Sequence, residues 1–130
     1  MAEAPTQGGP TSALGGLSAR VTTILSRLGQ KAEIALEDYR LQTGRYDNIV
    51  SIEMLEAVGE QWWPSYFAKV ASCLRQGGKA AIQTITISNE RFDDYRQKTD
   101  FIQQYIFPGG MLPSPEKLYQ QCQQADLQVN

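Results

Sequence analysis

Short strand-like runs alternating with longer helix-like stretches predict an α/β layered fold. Three observations carry that expectation. The β-branched apolar runs are too short for helices, the segments between them hold apolar residues at helical spacing, and Pro or Gly marks the joints. Crossovers of ten or more residues imply parallel strands joined in the right-handed sense. With 130 residues, 42% hydrophobic and 20% charged, the chain has the size and composition of one globular domain.

Residues 1–17 are rich in Gly, Pro, Ala, Thr and Ser and read as a flexible leader, with 18–130 as the folded domain. The pairs Gly8-Gly9 and Gly15-Gly16 have no strand before them, so they fit a linker better than a nucleotide loop. A helix is predicted over 18–28, from Val21, Ile24, Leu25 and Leu28, with Ser18 as cap and Gly29 as stop. A short strand is predicted over 32–36 and, after a turn at Thr43-Gly44, a second over 48–52. Its Ile49, Val50 and Ile52 suggest burial on both faces.

The next helix is predicted over 64–75, with Trp63, Phe67, Val70, Ala71 and Leu74 on one face, Pro64 in its first turn and Gly77-Gly78 ending it. A third strand follows over 79–87. Phe92, Tyr95, Ile102, Tyr105 and Ile106 then suggest a helix ahead of the break at Pro108-Gly109-Gly110. The last helix opens with Ser114 as cap and Pro115 in the first turn, turning Leu118, Cys122 and Ala125 inward. Residues 127–130 look like the opening of another strand.

Composition excludes several functions. With no histidine and two cysteines, the chain lacks the ligands of ordinary zinc sites and the imidazole of Ser-His and Cys-His nucleophile pairs. No metal site is expected. A net charge of -2 supplies no overall basic field for nucleic acid. No apolar run reaches the length of a membrane helix and no secretory signal is visible, so a reducing cytoplasm is the expected location. Cys73 reads as a packed thiol, Trp63 as core and Trp62 as exposed.

The polar residues that could do chemistry sit at strand carboxyl ends, where α/β folds place their sites. Asp38 and Tyr39 follow the first strand together with Glu37. A carboxylate can accept from ribose hydroxyls or an adenine amine, and a ring can stack on a base; the same residues also suit a plain acidic turn. Glu53 and Glu56 follow the second strand, three apart, which would set both carboxylates on one face of a helical first turn. They fit a site, and equally a pair of acids facing the helix dipole. Gln83, between Ile82 and Ile85, is either a strand-end site residue or an edge position facing water.

These residues carry a resemblance. The segments EDYR (37–40), YDNIVSIEMLEAVGEQWWPSYF (46–67), LRQGGKAAIQTITI (74–87) and DFIQQYIFPGGMLPS (100–114) resemble the cyclopropane-fatty-acyl-phospholipid synthase family of S-adenosylmethionine-dependent methyltransferases. The resemblance covers about three quarters of the chain. It implies a Rossmann-like methyltransferase sheet of order 3-2-1-4-5-7-6, of which this chain would supply strands 3, 4 and 5. It also implies roles for particular residues. Positions matching Asp38 and Tyr39 lie by the adenine, and those matching Ser51, Ile52 and Glu53 line the cofactor. The position of Glu56 helps hold a bicarbonate ion, with those of Gln83 and Ile85 beside it. The implied chemistry is attack of an acyl-chain double bond on the sulfonium methyl, after which bicarbonate takes a proton from the carbocation to close a ring.

Two positions depart from the family pattern: many members carry His where this chain has Ala57 and Gln83. The glycine-rich loop of the first strand, the acidic end of the second and the C-terminal bicarbonate-binding tyrosine have no counterpart here. The resemblance therefore implies a partial, truncated copy that is inactive on its own. Its partners would be phospholipid acyl chains met at the periphery of the inner membrane, with self-association through unpaired strands bearing Ile49, Val50 and Ile82. A small-molecule N-methyltransferase and a non-catalytic fragment are the competing readings.

Overall fold

The structure, a computed structural model, describes residues 31–33, 35–98 and 108–130. The chain divides into two units, Met1–Leu36 and Glu37–Asn130, and all the elements below belong to the second. The leader (1–17), the helix expected over 18–28 and residues 99–107, with Ile102, Tyr105 and Ile106, lie outside the described residues.

A single turn of 3-10 helix, Tyr39–Leu41, precedes strand β1, Tyr46–Ile52. Helix α1, Leu55–Val58, and a second 3-10 turn, Glu60–Trp62, lead into α2, Trp63–Cys73. Strand β2, Leu74–Gln83, starts where α2 stops. Helices α3, Asn89–Gln97, and α4, Pro115–Gln124, follow among the described residues. β1 and β2 pair in parallel, and among the described residues they make a two-stranded sheet.

The core is built on α2. Trp63, Tyr66, Phe67, Val70 and Cys73 are buried along it, at the i, i+3, i+4, i+7 and i+10 positions of one stripe. Leu55, Leu74 and Phe92 join them, and Leu118, Cys122 and Ala125 of the α4 segment pack against the cluster as expected. Trp63 meets Phe92 at 6.4 Å between ring centroids. The helix start at Ser114-Pro115 holds too: the Ser114 hydroxyl accepts the Lys117 N–H at 3.3 Å.

Five expectations need correction. The strand expected over 32–36 does not form at its described residues Ala32, Glu33, Ala35 and Leu36, which are irregular and exposed; no described strand pairs with it, and a strand's N–H and C=O groups need partners. Gly77-Gly78 does not end the helix, which stops at Cys73. The register instead runs from Tyr46↔Leu74 to Asn48↔Lys79, so residues 75–78 bulge opposite Asp47. Gly77 takes φ +77° there, and a Cβ on Gly78 would lie 2.8 Å from the Asp47 carbonyl oxygen, which is why the bulge is glycine.

The third strand is accordingly shifted, beginning before residue 79 and ending at Gln83, so that Ile85 and Ile87 lie beyond it. Burial of β1 on both faces is also overturned. Ile49 packs toward the core, but Val50 is 68% and Ile52 61% exposed, because the described helices cover one face of the pair. Last, residues 127–130 are irregular: the Leu127 N–H caps α4 by donating to the Cys122 carbonyl at 2.9 Å, which removes it from any ladder. Trp62 is exposed and Cys73 is a buried free thiol, as the sequence suggests. No helix among the described residues is long and apolar enough to cross a membrane.

Candidate functional site

The parallel register brings the carboxyl ends of β1 and β2 side by side, with Ser51 opposite Ile82 and Ile52 opposite Gln83. The Glu53 N–H adds a last rung, donating to the Gln83 carbonyl at 2.9 Å. Glu53 itself takes φ +50°, a left-handed conformation that costs a non-glycine residue on the order of 1 kcal/mol. That strain turns the chain off the strand and leaves the Glu53 side chain in solvent. Glu53 and Glu56 therefore do not share a helical face: α1 begins only at Leu55.

Glu56 goes the other way. It is 3% exposed, and its Oε1 accepts the Ile85 N–H from the segment just past β2. Its backbone carbonyl accepts the Met111 N–H at 3.0 Å. Its second carboxylate oxygen, Oε2, is buried with no hydrogen-bond partner among the described residues. A buried carboxylate oxygen left unpaired is costly, and it is the kind of orphan acceptor that a ligand donor satisfies.

The loop after α1 is fixed by glycine. Gly59 sits at φ +82°, and a Cβ there would come within 2.7 Å of the Gly109 carbonyl oxygen. The two motif segments around Glu56 and Pro108-Gly109-Gly110 thus touch twice, at Gly59 with Gly109 and at Glu56 with Met111.

Tyr39 and Asp38 occupy the loop before β1. The Tyr39 ring meets Tyr66 edge-on at 5.8 Å, and burial raises its pKa. The Tyr66 hydroxyl in turn donates to Ser51 Oγ at 2.6 Å, so Tyr39 is linked to the end of β1 through one buried ring. Asp38 is used locally. Its carboxylate accepts the Arg40 N–H and the guanidinium Nε, each at 3.0 Å, and that partner holds its pKa down at about 2. The loop is tied down from α2, where Lys69 Nζ donates to the Gln42 carbonyl at 2.9 Å.

Of the residues singled out from sequence, the structure gathers Ser51, Ile52, Glu53, Glu56, Gln83 and Ile85 at the two strand ends and attaches Tyr39 to them. Asp38 faces its own turn. Gln83 is exposed and closes the ladder through its carbonyl. Sequence reasoning missed Tyr66 and the Gly59–Gly109 contact. Tyr66 lies three residues after Trp63 on the apolar stripe, so completing that stripe would have found it; the glycine contact joins distant segments and left no local signal.

Parallel strands joined through helices, with Ser51 and Glu56 at their carboxyl ends, define an α/β class of protein. Comparison with known proteins gives this class its family. The family model described as mycolic acid cyclopropane synthetase matches residues 18–130, and the chain belongs to that family. Over 100 residues, 77% of this chain, it is 46% identical to tuberculostearic acid methyltransferase UfaA1 of Mycobacterium tuberculosis. Over 97 residues, 71% of this chain, it is 36% identical to the cyclopropane-fatty-acyl-phospholipid synthase of Escherichia coli. The chain spans 23% of the length of each of these two relatives. In fold it resembles the solved cyclopropane synthase MmaA2 of Mycobacterium tuberculosis, with a TM-score of 0.66 at 22% identity, over 85% of this chain and 42% of that one.

Proposed function

We propose that the chain supplies the β1–β2 part of an S-adenosylmethionine-dependent methyltransferase site that transfers a methyl or methylene carbon to an unsaturated lipid acyl chain. The observation that carries the reading is Glu56: a carboxylate buried near the two strand ends, one oxygen on the Ile85 N–H and the other without a hydrogen-bond partner among the described residues. Family membership and the likeness to a relative named tuberculostearic acid methyltransferase support it.

The residues present fit the groups this chemistry needs. Ser51, Ile52 and Glu53 line the end of β1, and Tyr39, linked to Ser51 through Tyr66, offers a ring for the cofactor's base. When bound, S-adenosylmethionine supplies an electrophilic methyl group. Glu56 Oε2 can accept the hydroxyl of a bicarbonate ion, and the Ile85 main chain holds the Glu56 carboxylate in place for it. Fixed polar groups of this kind stabilise developing positive charge without having to reorganise.

The test is to incubate the chain with methyl-labelled S-adenosylmethionine and vesicles of a cis-unsaturated phospholipid, then read acyl-chain masses. Labelled acyl chains heavier by one methyl or methylene carbon, absent with Glu56→Gln, are expected. Label transferred only to small amines, or to no acceptor, would overturn the lipid reading.

A further inference from the structure

We propose that Tyr66 is a positioning residue for this site: its phenol fixes the Ser51 hydroxyl as a donor toward the cofactor, while its ring seats Tyr39. The inference rests on the S-adenosylmethionine reading above and adds to it a residue outside the strand ends.

Tyr66 is completely buried in the first half of α2. For packing alone a phenylalanine would serve, since the ring makes edge contacts with Tyr39 at 5.8 Å and Phe67 at 5.1 Å. The hydroxyl is the part that packing does not require, and burying it is unfavourable unless it is bonded. It is bonded to one group, Ser51 Oγ, at 2.6 Å.

The direction of that bond follows from chemistry. A phenol is the more acidic of the two hydroxyls, so Tyr66 donates and Ser51 accepts. Ser51 then keeps its own proton for a different acceptor. Ser51 is half-buried and lies one residue before the end of β1, where its O–H can serve a cofactor oxygen or ring nitrogen. Tyr66 therefore touches both halves of the proposed cofactor surface, Tyr39 before β1 and Ser51 at its end, and orders them through a single rigid ring.

The test is calorimetric titration of S-adenosylhomocysteine, a non-reactive probe, into the full chain and its Tyr66→Phe, Ser51→Ala and double variants. Far-UV circular dichroism and a cooperative urea transition check each fold. Tyr66→Phe and Ser51→Ala are each expected to weaken binding about three- to tenfold, the range of one net hydrogen bond. The double variant should match the singles, because Tyr66 acts through Ser51. A purely structural tyrosine would leave probe affinity unchanged in a folded Tyr66→Phe, or multiply with Ser51→Ala; either result overturns the inference and leaves the cofactor reading standing. Wild-type chain with no saturable binding overturns both. If Tyr66→Phe does not fold, Ser51→Thr decides: recovery of the affinity lost in Ser51→Ala supports the donor role, and no difference between the two overturns it.

Discussion

Glu56 and Ile85, 29 residues apart in sequence, are joined across the ends of the two strands by a hydrogen bond from the Ile85 N–H to the Glu56 carboxylate. That bond ties the turn after β1 to the segment after β2 and leaves the other carboxylate oxygen buried, with no hydrogen-bond partner among the described residues. Glu56→Ala would strand the Ile85 N–H and is expected to destabilise the fold by about 1–2 kcal/mol, the cost of an unpaired, partly buried donor. Glu56→Gln keeps an acceptor for that N–H and should cost about half as much or less. Urea denaturation of the two variants measures the difference.

Gly59 and Gly77 both have positive φ, yet they differ in what surrounds them. A Cβ at Gly59 would collide with the Gly109 carbonyl, whereas one at Gly77 would meet nothing within 4 Å. Gly77→Ala should therefore cost only the backbone strain of about 1–2 kcal/mol. Gly59→Ala should cost more, and it should disturb Glu56 as well, through the bond from Met111. Thermal melts of the two variants, compared side by side, check the order.

Two groups set the pH response in opposite ranges. The Asp38 pKa is lowered by Arg40 from 3.8 to about 2, so its contribution is present above the unfolded value and is lost as pH falls through the folded one. The difference in urea midpoint between wild type and Asp38→Asn should then shrink as pH drops from about 4 to 2. Tyr66 is raised above its ordinary value of 10.0 by burial. Its contribution is full below that pH and is lost as the solution becomes alkaline enough to ionise it. Tyr66→Phe should flatten the alkaline fall in stability.

The uncovered face of β1 bears Val50 and Ile52. Exposed apolar side chains on a sheet face invite association. Replacing Val50 with Lys should reduce light scattering at high protein concentration, with a stability change within about 0.5 kcal/mol.

How much of this was readable in the sequence depended on whether the cause was local. The α2 stripe, the Ser114-Pro115 helix start and the β1 run are written in neighbouring residues, and all three form. The gathering of Ser51, Glu56, Gln83 and Ile85 became legible through motif resemblance and follows from parallel register. What failed needed knowledge of partners. A strand over 32–36 requires a neighbour to bond with, burial of Val50 and Ile52 requires a second layer, and Gly77-Gly78 reads as a helix stop until the opposing Asp47 is in view. Tyr66 was lost for another reason: the stripe marks its ring as core once completed, but the hydroxyl bond to Ser51 joins distant segments and leaves no periodic signal.

Equilibrium dialysis of radiolabelled S-adenosylmethionine against the monodisperse chain tests the central claim most directly. The β1–β2 strand ends, as a cofactor site, predict saturable binding at one site, displaced by S-adenosylhomocysteine and weakened by Ser51→Ala. Absence of saturable binding at millimolar cofactor would contradict that claim and leave the family relationship as one of descent alone.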